Sequence, residues 1–165
     1  MPLWLYAPVV AASLLTAPAM QAVEIDRTLQ HVYSTPIMAS DIRQVKLLKL
    51  LPNIEMSDDR ILVQLENRLL VLREVGRQSA PQPSSTAIAA RRQTWSAGWP
   101  AATDFPSLMV KAGMNDQALD GWFRDDLRIE AYLDLRFGAT TDDARATRLA
   151  EWIAELRRRA NLSGR

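Results

Sequence analysis

The sequence predicts a mainly α-helical single domain with a small β-hairpin near its mature N-terminus. Three observations carry this reading. After Ser40, apolar residues recur at the 3.6-residue period of a helix. Most of these runs open on Ser, Asp, Asn or Thr and close on glycine or proline, the usual start and stop residues. Strand-like patterning is confined to the stretch Val23–Ala39. With 165 residues, 48% hydrophobic and 24% charged, the chain has the composition of one folded globular domain.

The first 22 residues, MPLWLYAPVVAASLLTAPAMQA, hold no charged side chain. Leu3–Leu15 is an apolar core, and APAMQA supplies small residues ahead of Val23, so cleavage after Ala22 or Ala19 is expected. The n-region departs from the usual signal in lacking Lys and Arg. Left uncut, the segment would be an anchor, but it is short for a membrane span and Pro8 and Pro18 interrupt it. The expected mature chain, residues 23–165, is exported to the periplasm and not stably inserted in the membrane.

Two β-like runs, RTLQHVY and STPIMA, make the hairpin, with Ser34-Thr35-Pro36 as its turn. Ser40 is the expected N-cap of a first helix that Pro52 stops. Ser57 caps a second, Asp58 to about Arg77, and the Pro/Ser stretch Ser79–Ser85 is a loop. A third helix is expected over Thr86–Ser96, broken by Gly98-Trp99-Pro100. Asp104 caps a fourth, Phe105–Ala112, with Gly113 at its end. Asn115 caps a long fifth helix ended by Gly138, and Thr140 or Thr141 caps a sixth that runs to about Ala160.

Composition removes several kinds of chemistry. The chain has no cysteine and one histidine, His31, which excludes thiolate nucleophiles, disulfides and multi-histidine metal sites. A net charge of +1 supplies no field for nucleic acid. The runs Arg91-Arg92 and Arg157–Arg159 are too local to change that, and the second closes a helix where cations suit the dipole. The six glycines are scattered and form no phosphate loop.

The fifth helix carries six carboxylates: Asp116, Asp120, Asp125, Asp126, Glu130 and Asp134. On a helical wheel Leu119, Trp122, Phe123, Leu127, Ile129, Leu133 and Phe137 form the core-facing stripe. Asp120 is expected to pair with Arg124 on the surface. Asp126 and Glu130 project from the stripe itself, and Arg68 does the same on the second helix, whose stripe is Ile61, Leu65, Leu69, Leu72 and Val75. Because buried charges come paired, Arg68 is expected to reach Glu130, with Asp126 as the other choice. The aromatic and aliphatic neighbours of these acids point to packing, not general acid–base work. No calcium-loop motif is present, and no metal or other cofactor is implied.

Trp95, Trp99, Met109 and Met114 are the candidate peptide-binding residues. Methionine and aromatic side chains suit adaptable apolar recognition, and both tryptophans flank loop or break sequences where they would be exposed. The same residues could instead fill a core.

The order of segments resembles the N-terminal chaperone domain of SurA-type periplasmic chaperones, over about Ile25–Leu162. The resemblance rests on the leading strand pair with PIMASDIR (Pro36–Arg43), LENRLLVLREV (Leu65–Val75), AGMNDQALDGWFRDDLRIEAYLDLRFG, and the last helix LAEWIAELRRRANL. Two departures stand out. Ser34-Thr35 replaces the usual Asn-Gly-like turn, and Gly138 is followed almost at once by the final helix. That leaves no room between them for a parvulin-type prolyl isomerase domain of about a hundred residues. The resemblance thus implies an exported, non-catalytic module that binds unfolded or extended client polypeptides, without cofactor or nucleic acid. An envelope scaffold with one specific partner, or a degenerate isomerase relative, are the rival expectations.

Overall fold

The computed structural model describes residues 26–52, 55–78, 82–138 and 141–162, so the signal-like segment 1–22 lies outside the described residues. Two strands, β1 (Thr28–Val32) and β2 (Thr35–Met38), precede six helices. These are α1 (Ala39–Leu48), α2 (Asp58–Arg77), α3 (Ser85–Ala97), α4 (Phe105–Ala112), α5 (Asp116–Phe137) and α6 (Asp142–Arg159). Among the described residues the fold is mainly α with one antiparallel hairpin, as the periodicity predicts.

α2 is the central element and touches α1, α5, α6 and both strands. Several neighbours need more than one apolar stripe. Ile61, Leu62, Leu65, Leu70, Val71 and Val75 are all buried, while Leu69 and Leu72 of the expected stripe are half-buried. α3 lies along α5, and α4 along α1. On α5 the core side includes Tyr132, which the sequence wheel omits, together with Leu119, Phe123 and Phe137. Trp152 of α6 closes that end against Tyr132 and Phe137, with ring centroids 5.8 and 5.7 Å away. None of the helices among the described residues is long and apolar enough to cross a membrane.

Side-chain caps close the N-termini of α3, α4 and α5, while Ser57 and Thr141 stand at the N-cap positions of α2 and α6 without a side-chain cap hydrogen bond. The Ser84 hydroxyl accepts from Ala87 N–H at 3.1 Å, Asp104 from Ser107 N–H at 3.2 Å, and Asn115 from Ala118 N–H at 2.8 Å. Each satisfies one orphan donor of a first turn. α4 ends on Gly113 at φ +64°, and Met114 N–H donates to the Met109 carbonyl at 3.0 Å. That closure needs a left-handed residue, which glycine supplies without a Cβ penalty.

The hairpin differs from expectation in register. Its turn is Tyr33-Ser34, not Ser34-Thr35-Pro36, and Val32 pairs with Thr35. Tyr33 takes a positive φ of 54°, which costs a side-chain-bearing residue about 1–2 kcal/mol. The guanidinium of Arg73, 3.8 Å from the Tyr33 ring centroid, offsets part of this. Ser40 is also not the N-cap of α1. Met38 holds that position, its N–H donating to the Asp41 carboxylate at 2.7 Å, while Ser40 lies inside the helix and binds Asp26.

The register leaves β2 with a guarded outer edge. Thr35 and Ile37 face β1, so the outward positions are Pro36 and Met38. Pro36 has no N–H, and that of Met38 is taken by Asp41. The outer side of β2 therefore offers no free donor for a further strand.

Candidate functional site

The six carboxylates of α5 each face an arginine. Arg92 of α3 holds both Asp116 and Asp120, the latter at 3.0 Å. Arg91 grips Glu130 through two parallel hydrogen bonds, one of 2.7 Å. Arg68 of α2 binds Asp126, Arg128 lies 3.4 Å from Asp125, and Arg145 of α6 holds Asp134. Apart from the Arg128–Asp125 pair within α5, these are interhelical clamps that draw guanidinium groups from α2, α3 and α6. Two sequence expectations are corrected here. Arg68 pairs with Asp126, the second of its two expected partners, and Glu130 is held instead by Arg91 of α3. Asp120 turns to Arg92 in place of Arg124. A group of three or more acidic or histidine side chains placed to hold a metal is absent among the described residues.

Arg68 is the most enclosed of these arginines, with 9% of its side chain exposed. It also donates to the Trp122 carbonyl at 3.0 Å and lies 3.8 Å from that indole's centroid. Burial pushes the Asp126 carboxyl above the usual carboxylate range, against the pull of Arg68. The apolar half of the site is a cleft of about 430 Å³ lined by Ile37, Leu50, Leu65, Leu69 and Leu72.

An ion pair more deeply buried than any of these has no counterpart in the sequence expectations. Glu66 on α2 has no exposed surface, and Arg157 Nη2 of α6 lies 2.8 Å from its carboxylate. Arg157 also donates to Asn67 Oδ1 at 2.9 Å and to the Leu162 carbonyl at 3.0 Å. Arg157 thus turns inward from the basic run at the end of α6. The available signal was Glu66 next to Leu65, on a helix whose apolar residues spread over more than one face.

Three of the four candidate peptide-binding residues meet in one place. Trp95, Met109 and Met114, with Phe105, Val110 and Leu119, line a mainly apolar groove of about 800 Å³ between α3, α4 and the start of α5. Trp99 borders a separate depression on the other side of α4. Neither tryptophan is as exposed as expected, though Trp95 still lines the groove. Both are half-buried. Trp95 packs on Trp99, Phe105 and Phe123 with centroids 5.8, 5.3 and 5.8 Å apart, and its indole N–H donates to the Leu48 carbonyl at 2.7 Å. Met109 is buried, so it contributes floor. At the rim of this groove Val110 is 80% exposed, as the solvent-side member of a short amphipathic helix; Leu135 and Tyr33 are large exposed apolar residues elsewhere.

The chain matches no family model, no curated protein and no solved structure.

Proposed function

We propose that this chain is a non-catalytic, exported module that holds unfolded or extended polypeptides in the groove between α3, α4 and α5. The observation that carries the reading is the groove itself: about 800 Å³, walled by Trp95, Phe105, Met109 and Met114, with Val110 open to solvent at its edge. Flexible thioethers beside aromatic rings accept varied side chains at small packing cost. The indole hydrogen bond to Leu48 keeps the wall preformed, which limits the ordering cost of binding. The resemblance to the N-terminal domain of SurA-type chaperones supports the same reading and suggests envelope proteins as clients.

Suppression of aggregation of two unrelated unfolded clients tests it. Protection of both at similar stoichiometry is expected, and Val110→Asp, a surface change, should remove most of it. Protection of neither client, or full protection by the Val110→Asp variant, would overturn the proposal.

A further inference from the structure

We infer that the groove selects peptides in which a bulky apolar residue stands three to four positions from an aspartate or glutamate. The inference rests on the polypeptide-holding reading and names the client chemistry at that same site. The second depression, about 500 Å³, lies across α4 and is bordered by Lys49, Trp99, Pro100, Asp104, Leu108 and Lys111. The Phe105 ring joins the two depressions beneath α4, 5.3 Å from Trp95 and 6.0 Å from Trp99. Val110 caps the ridge between them.

The two sides differ in charge. In the groove, Arg92 is matched by Asp116 and Asp120. Across α4, two ammonium groups face one carboxylate, that of Asp104, which already accepts the Ser107 N–H and, at 2.6 Å, its hydroxyl. Hydrogen bonding from the Ser107 hydroxyl, chiefly, and the field of Lys111 hold Asp104 below the usual carboxylate range, so it stays ionised. The exposed Lys49 ammonium rests 4.5 Å from the Trp99 centroid, so the indole face holds the cation at the rim where an incoming carboxylate can reach it. An extended chain rises about 3.3 Å per residue. Crossing a helix about 10 Å across takes roughly three residues. An apolar anchor seated among Trp95, Phe105 and Met114 therefore places a carboxylate over Lys49 and Lys111.

Fluorescence anisotropy of the full chain with labelled ten-residue peptides tests this. One peptide carries Leu or Phe with Asp three or four residues away, on either side. A second has Lys in that place, and a third has neither charge. The acidic peptide should bind about tenfold tighter than its lysine counterpart, with a difference that shrinks in high salt. The preference should vanish in a Lys49→Asn, Lys111→Gln double variant, Asn being suited to the left-handed backbone at position 49 (φ 49°). Equal affinity for the acidic and lysine peptides, or a preference that survives in the double variant, overturns the inference and leaves the holding function standing. Failure of all three peptides to bind overturns both.

Discussion

Replacing Arg68 with alanine removes three contacts at once: the Asp126 pair, the Trp122 carbonyl hydrogen bond and the stack on the Trp122 ring. Stripping one partner from a buried ion pair costs about 3–5 kcal/mol, because a charge is left in a poor solvent. Asp126 keeps 22% of its side chain exposed, which places the loss at the lower end, about 3 kcal/mol. For a chain of this length each kcal/mol moves Tm by about 2–4 °C, so the melt should fall by roughly 6–12 °C. Arg91→Ala is the control. Its partner Glu130 is 51% exposed, and the loss should stay below about 1 kcal/mol. The pH dependence has a definite sign. Asp126 has a raised folded-state pKa, so its favourable contribution is present below the unfolded pKa and is lost as pH rises through the folded one. Removing Arg68 raises that folded pKa further. The gap between variant and wild type should therefore be widest at neutral pH and narrow on acidification, as the orphaned carboxyl takes a proton. Thermal melts followed by circular dichroism at both pH values measure it. A Tm drop under about 2 °C at neutral pH, or a gap that is indifferent to pH, would refute the buried-pair account.

Glu66→Ala should cost about 3–5 kcal/mol in chemical denaturation, whereas Glu66→Leu combined with Arg157→Met should come out near neutral, since both charges are then gone. Gly113→Ala should lose about 1–2 kcal/mol from backbone conformation alone, because a Cβ there meets no atom within 4 Å while φ is +64°; a shifted urea midpoint with an unchanged slope is the expected signature. α3 buries only Ile88 fully and is tied to α5 through Arg91 and Arg92, so raising the salt concentration should speed amide exchange in residues 85–97 well before α2 responds. Equal exchange in the two helices at high salt would count against electrostatic attachment of α3.

Local signals were legible in the sequence where the chemistry is local. Asp104 and Asn115 cap the helices they were expected to cap, and Gly113 ends α4 where expected. α3 runs one residue further at each end than its apolar pattern suggested, since its cap is Ser84. Long-range choices were not legible. A wheel places Asp126 and Glu130 on the same face, but only the offsets between helices decide that Arg68 takes one and Arg91 the other. The turn at Tyr33 is backed by Arg73, forty positions along the chain, a contact that short-range turn preferences do not see. Glu66 was hidden because α2 is covered on several sides, so an acidic residue could be wholly enclosed without breaking one stripe. For the groove, composition points to Trp95, Met109 and Met114; that they converge while Trp99 stands apart is a matter of which side of α4 each lies on, Met109 and Val110 facing one depression and Leu108 and Lys111 the other.

The proline and the occupied amide along β2 have a consequence for crowded conditions. A hairpin with bare donors on that side would template the next strand it met, and copies of the chain could zip together along their margins. Here, growth by strand stacking stops at the first layer on that side. The greasy hollow behind α4 can thus lie open on the same small molecule without that border seeding fibres.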